Sequence, residues 1–258
     1  METEQKGTVQ QYHTYDKRFY RVMVYGEEEP KWYLSVNTII GGTGVDPFLA
    51  QWQQEQVAER GVQGARFDLF MRAEMGTTVH NAIDRYNRGE ELCWDDFDDF
   101  EWACINRFIE WLTSSGAKVV ASEHTIVSHT HRYAGTLDMI VEIEGKLYVI
   151  DVKSGSYTYD RHKMQLAAYV MAAREMYPTM DIVGAGVLPL NVRTKKGWRF
   201  DVLEESDIQR YFARFLNRYA VFMDENEGIV PKHVVYPRVI TPQHTFDIME
   251  DSYGKIEE

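Results

Sequence analysis

Two aspartates and a lysine interrupt an otherwise apolar stretch in "AGTLDMIVEIEGKLYVIDVKSG", residues 134 to 155. A two-residue turn at Glu144-Gly145 folds the stretch into a hairpin that pairs Ile143 with Lys146, Ile140 with Val149, and Asp138 with Asp151. Directly opposed Cβ atoms lie about 4.5–5.5 Å apart, so two carboxylates there repel unless a counter-charge intervenes. Lys153 follows on the Asp151 face, whereas Tyr148, Ile150 and Val152 take the other. Paired carboxylate oxygens suit a hard ion such as Mg²⁺ or Mn²⁺. Such an ion polarises a phosphoryl oxygen and acidifies water, and a neighbouring ammonium stabilises developing phosphorane charge, which is the chemistry of phosphodiester hydrolysis. A strand-end aspartate pair held by a lysine salt bridge has the same spacing, and spacing alone leaves both readings open.

The elements that must position these groups follow from periodicity. "FYRVMVYG" and "KWYLSVNTII" alternate around a Gly-Glu turn and predict a first hairpin. "GGTG" lacks the Lys-Ser or Lys-Thr of a phosphate loop and runs into Asp46-Pro47, a helix cap with proline in the first turn. Helices are expected over 47–60, 64–88 and 95–114, stopped by Gly89 and Gly116, then strands over 118–128, 132–143 and 147–153. A helix over 160–177 ends before Pro178. Strands "IVGAGVLPLNV" and "GWRFDVL" flank the basic turn "RTKKG", and a last helix spans "ESDIQRYFARFLNRYAVFM". This order predicts an α/β fold: a mixed central sheet flanked by helices, in one domain over residues 1–224, with residues 225–258 as a loosely attached extension.

Composition narrows the class. The 258 residues are 44% hydrophobic and 26% charged, ordinary for a soluble globular chain, and no apolar run is long enough for a bilayer. Residues 2–11, "ETEQKGTVQQ", resemble neither a secretory signal nor a transit peptide, so a cytoplasmic setting, in a bacterium or a phage-infected cell, is expected. Two cysteines, Cys93 and Cys104, fit a reducing compartment. The net charge of -12 confines any nucleic-acid contact to a local basic patch.

"GTLD", thirteen residues, "DVK" and then "QLAAY" resemble the PD-(D/E)XK nuclease superfamily, specifically its RecB-like branch of phage exonucleases and mitochondrial genome maintenance exonucleases. "GTTVH" supplies the Gly76-x-x-x-His80 pattern of that branch, and "YLSVNTII" is similar to its opening serine-valine-threonine strand. The resemblance covers roughly residues 33 to 170 and implies an αβββαβ core, here roughly residues 33–203, with helical additions. It implies that Asp138, Asp151 and the Val152 carbonyl bind Mg²⁺ or Mn²⁺, that His80 adds a ligand, and that Lys153 is catalytic. Glu123 resembles an acidic position of some relatives and stands as a secondary ligand candidate. Two cysteines are too few for the four-cysteine iron–sulfur cluster of some RecB-like nucleases, so none is expected. No helicase motif occurs, so a helicase or recombination partner is a separate chain.

Gln165 and Tyr169, spaced i, i+4, share a helical face with His162 and are expected to meet substrate beside the lysine strand. Arg161 and Lys163 with Tyr157 and Tyr159, or else Arg193, Lys195, Lys196, Trp198 and Arg199 of "RTKKGWR", combine phosphate attraction with stacking surfaces. His129 and His131 read as polar residues of a turn. The expected function is metal-dependent cleavage of DNA, from ends and with preference for single strands. A catalytically silent nucleic-acid-binding or recombination scaffold, and a hydrolase of small phosphates, are the alternatives.

Overall fold

The computed structural model describes residues 9–14, 17–24, 26–44 and 47–231, with side chains 47–49 excepted. The Asp46 cap and the tail beyond residue 231 lie outside the described residues. Strands β1 (Val9–His13), β2 (Arg18–Val22) and β3 (Lys31–Ser35) form an antiparallel meander. The expected strand through Ile40 stops at Ser35, whose hydroxyl accepts from the Thr38 N–H at 3.0 Å and caps helix α1 (Val36–Gly42). Buried Val36, Ile39 and Ile40 have helical spacing, which prevails over the two-residue alternation before them.

Helix α2 (Pro47–Asn87) is broken at Gly61, where φ of 71° and ψ of 171° leave the helical region, close to the expected gap between two helices. A 3-10 turn (Trp94–Asp96) precedes α3 (Asp99–Ser115), which is closed by the Asp98/Glu101 capping box and by Gly116 at φ 65°. Strands β4 (Lys118–Ser128), β5 (Tyr133–Ile143) and β6 (Lys146–Lys153) follow as two hairpins. The second turns on Glu144 (φ 50°) and Gly145 (φ 76°), two left-handed residues as a two-residue hairpin requires. Its register is the expected one, with Ile143 opposite Lys146 and Ile140 opposite Val149, but the ladder ends at Met139 opposite Ile150, one step short of the expected Asp138–Asp151 pair.

Helix α4 (Asp160–Met176) crosses over to β7 (Ile182–Pro189), parallel to β6, and β8 (Asp201–Leu203) returns antiparallel before α5 (Glu205–Glu225). Strands β7 and β8 are shorter than expected, and residues 190–200 form a braced loop. The eight strands make one mixed sheet, parallel at β3–β5 and β6–β7. One core packs α1, α4 and α5 on one face, and a second packs α2 and α3 on the other. Both faces are covered, as a sheet with parallel strands demands. These features are those of the expected α/β class.

Candidate active site

The sheet forks at β5. Strand β4 runs along one edge of β5 from Tyr133 to Glu142, so β3 and β6 must share the other edge. There β3 pairs with Tyr133 and Ala134, and β6 with Met139 to Ile143, leaving Gly135 to Asp138 between them without a strand on that side. Leu137 and Ile140 both belong to the α4-side core while Met139 belongs to the other, so strict alternation breaks at Asp138. The side chain takes the place of the missing ladder bond: the Val152 N–H donates to Asp138 Oδ2 at 2.7 Å. A strand residue presents its N–H and C=O to the same edge, so the Val152 carbonyl is also on the Asp138 side.

Two other elements converge on this fork. Helix α2 presents His80 on a turn anchored by buried Val79 and Ile83, and Nδ1 lies 3.5 Å from Asp138 Oδ2. From β4, Glu123 sits at the register position opposite Asp138 with a left-handed φ of 44°, a strained value for a non-glycine residue. Ligand atoms of His80, Glu123 and Asp138 all lie within 4.8 Å of one another. Ser122 Oγ donates to Asp84 Oδ1 at 2.9 Å and accepts from Asn87 Nδ2 at 3.2 Å. The Ser122 hydroxyl therefore ties the helix bearing His80 to the strand bearing Glu123.

Asp151 and Lys153 adjoin this group. Lys153 Nζ donates to Asp151 Oδ1 at 2.7 Å, while the buried Asp151 Oδ2 has no hydrogen-bond partner. Burial pushes the Asp151 carboxyl upward; Lys153 opposes the shift and the nearby Asp138 charge adds to it. Burial alone would lower the Lys153 ammonium, yet Asp151 and Asp138 outweigh it and raise its pKa, so it stays charged. Glu123 is pushed up to about 7, by burial of its carboxyl group first, then by Asp138 and Asp84, against the pull of His80. Three carboxylates and an imidazole so disposed, one oxygen unpartnered, fit a divalent cation in donor type and charge.

The expected substrate residues divide. Tyr169 is 3% exposed, its hydroxyl accepting from Gln165 Nε2 at 3.1 Å. A Cβ added at Gly135 would lie 2.4 Å from the Tyr169 ring, so the ring fills the fork from below and base stacking is closed to it. Gln165 is half-buried. Arg161 lies 5.5 Å from the Tyr159 ring centre, and Lys163 5.4 Å from that of Tyr211 in α5, both half-buried. His162 is buried and held down to about 2 by that burial, with Lys153 and Arg161 adding to the effect. Its neutral ring accepts at Nδ1 from the Tyr159 N–H at 3.3 Å, closing the start of α4. His129 meets the Tyr33 hydroxyl at 3.2 Å, and His131 stacks on Tyr133. Cys104 is buried in the α3 core and Cys93 is exposed.

Residues 101–231 match the PD-(D/E)XK nuclease superfamily, a span that includes Glu123, Asp138, Asp151, Lys153, Gln165 and Tyr169. The chain belongs to that superfamily. Mitochondrial genome maintenance exonuclease 1 of Mus musculus is 23% identical to this PD-(D/E)XK chain over 192 residues, covering 70% of the chain and 55% of the relative. The chain thus spans about half the length of that curated relative. His80 precedes the matched span, and its place in the site rests on the geometry. Asp84 and Ser122 were not anticipated. The i, i+4 spacing of His80 and Asp84 was a readable signal, while the Ser122 contact crosses 38 residues and had none.

Proposed function

We propose that this chain is a Mg²⁺- or Mn²⁺-dependent deoxyribonuclease, an exonuclease acting on single-stranded ends. The supporting observation is the convergence of His80, Glu123 and Asp138 at the fork, beside the unpartnered Asp151 oxygen and the Lys153 ammonium. His80, Glu123, Asp138, Asp151 and the Val152 carbonyl are the groups that would hold the cation. When bound, a divalent cation supplies positive charge to a phosphoryl oxygen and lowers the pKa of water.

The chain's own groups do the rest. The Val152 N–H fixes Asp138 in orientation. The Asp151 carboxylate holds the Lys153 ammonium at the end of β6, where it can stabilise charge accumulating on a phosphate as the bond to the leaving oxygen lengthens. Arg161, Lys163 and Gln165 flank that end on α4 and meet the substrate backbone. The RecB-like branch is the placement the Gly76-x-x-x-His80 pattern supports, and residues 1–224 form the nuclease domain of this reading.

End-labelled single- and double-stranded DNA, incubated with Mg²⁺, Mn²⁺ or EDTA and sized, tests the proposal. Stepwise shortening of single strands that EDTA abolishes is expected. Retained DNA binding without metal-dependent cleavage would establish the silent scaffold instead, and turnover of nucleotides without polymer degradation the small-phosphate hydrolase.

A further inference from the structure

The turn after β7 has no part in the site described above, yet it is bound to that site's edge. Between Asp181 and Asp201 the sequence carries Arg193, Lys195, Lys196 and Arg199 and no carboxylate, in a chain of net charge -12. Arg199 is held by Asp201. Arg193, Lys195 and Lys196 are exposed and, among the described residues, have no carboxylate partner. Three like charges crowded on one turn repel one another, and polyanion phosphate relieves that repulsion.

The turn is braced. The Val192 N–H donates to the Gly197 carbonyl at 2.8 Å, and the Gly197 N–H to Thr194 O at 3.1 Å. Arg107 of α3 donates to the Leu190 carbonyl at 2.8 Å and to Asn191 Oδ1 at 3.2 Å, and leaves no room for a Cβ at Gly197, whose φ is 75°. Because β6 and β7 are parallel, the turn leaves the sheet at the end that carries Lys153. Leu190 N–H donates to the Lys153 carbonyl at 2.8 Å, and Asn191 N–H to the Gly155 carbonyl at 3.3 Å. Five residues of chain then place the tip at most about 17 Å from the lysine strand.

The loop that follows Lys153 touches the chain on both sides of the turn, its Gly155 carbonyl accepting from the Asn191 N–H and its Thr158 hydroxyl donating to Asp201, and it carries two aromatic rings. Tyr157, in the loop that follows Lys153, is 67% exposed, with its ring centre 6.3 Å from that of Tyr159. An exposed tyrosine ring offers a face to an unstacked base, which a single strand presents and a duplex does not.

We propose that the 192–198 turn is a second phosphate-binding site for single-stranded DNA, reached from the lysine strand by way of base stacking on Tyr157. The proposal rests on the deoxyribonuclease reading for its polymer, but its contacts are separate from the metal-ligand group. The turn fixes where the strand lies beyond the scissile phosphate, so it acts on affinity and on the dependence on strand length.

The test is fluorescence anisotropy on the full chain with Ca²⁺ in place of Mg²⁺, using oligothymidylates of about 4 and about 16 nucleotides and a duplex, across salt. Gels confirm that the strands stay intact. For the triple variant Arg193→Ala, Lys195→Ala, Lys196→Ala, the longer strand should lose most of its affinity advantage. Its log K against log salt slope should fall by about 2, at about 0.7 per lost contact. The short strand should bind within about twofold of the parent if its contacts lie near Lys153. Tyr157→Ala should weaken single-strand binding about tenfold with an unchanged slope and leave duplex binding alone. Lys195→Glu, a single exposed change, should lower the slope by about 0.7, the measure of one lost contact, should the triple variant melt early. Parent-like binding of the long strand by the triple variant and by Lys195→Glu overturns the proposal, as does an equal loss for short and long strands. Unchanged single-strand binding by Tyr157→Ala overturns the stacking step. Cleavage in Mg²⁺ is scored separately: length-dependent binding without cleavage rejects the deoxyribonuclease reading and leaves this site standing, whereas cleavage without the length effect rejects this site alone.

Discussion

Asp138 and Asp151 differ in what surrounds them, and so in what their loss should do. Asp138→Asn keeps an oxygen to accept the Val152 N–H and removes a charge from a crowded acidic group, so the fold should persist while Mn²⁺ affinity collapses. Asp151→Asn leaves Lys153 without its buried counter-ion and should also lower stability by about 1–3 kcal/mol. Calorimetric titration with Mn²⁺ and thermal melts of both variants separate the two; unchanged binding in Asp138→Asn would remove it from the metal site. Lys153→Ala should reduce turnover by about 10²-fold or more while DNA affinity changes little, since the ammonium acts as transition-state charge grows. Single-turnover cleavage set against binding in Ca²⁺ measures that split.

Glu123 gives the residue scale a pH signature. Its folded pKa, about 7, exceeds the ordinary carboxylate value, so between about 4.5 and 7 the native state holds a proton that the unfolded chain has released. Stability of the metal-free protein should therefore fall as pH rises through that window. Because the residue as a whole is exposed even though its carboxyl group is drawn in among the other acids, solvent screens the effect and the fall is modest. Mn²⁺ affinity should climb over the same window as the proton leaves. Melting temperatures against pH should slope less in Glu123→Gln than in the parent; identical slopes would clear Glu123 of responsibility.

At the scale of elements, the site depends on two contacts between secondary structures. The Ser122 hydroxyl binds α2 to β4 beside the left-handed Glu123. Ser122→Ala should lower Mn²⁺ affinity several-fold with only about 1 kcal/mol lost in stability, and Ser122→Thr should restore much of it. An alanine variant that binds Mn²⁺ like the parent would show that the strand holds Glu123 unaided. Gly135 is the second contact, because the Tyr169 ring occupies the space of its missing side chain. Gly135→Ala should push α4 away from the fork at a cost of about 1–3 kcal/mol, or about 2–12 °C in melting temperature. A differential scanning measurement decides it, and an unchanged melt would mean that the ring moves freely.

For the molecule as a whole, the proposed function asks an acidic body of net charge -12 to hold a polyanion through a local group of cations. Replacing Arg161 and Lys163 together by alanine should shallow the salt dependence of single-strand binding by about 1.4, at about 0.7 per lost phosphate contact. Binding isotherms across salt test this, and an unaltered slope would take the α4 cations out of the substrate path. No helix among the described residues is long and apolar enough to cross a membrane.

Local rules made much of this chain legible in its sequence. The β5–β6 register follows from a two-residue turn and from strand periodicity, and Lys153 lies with Asp151 because side chains two apart share a face. Helix ends at Gly89 and Gly116 and the crossover helix before β7 were likewise visible, each set by neighbours within a few residues. Tertiary structure decided what distant segments do to one another. The fork exists because β3 and β6 claim different stretches of one edge of β5, a competition between strands about a hundred residues apart that no local pattern encodes. The fork makes Asp138 accept a backbone N–H, brings Glu123 within reach of His80 and Asp138 in a group that could hold a metal ion, and places the Tyr169 ring, expected at the substrate, in the packing beneath it. Sequence spacing specifies which faces residues share; where an edge is left unpaired, and which buried group must satisfy it, is settled only when the whole sheet closes on the clusters packed against its faces.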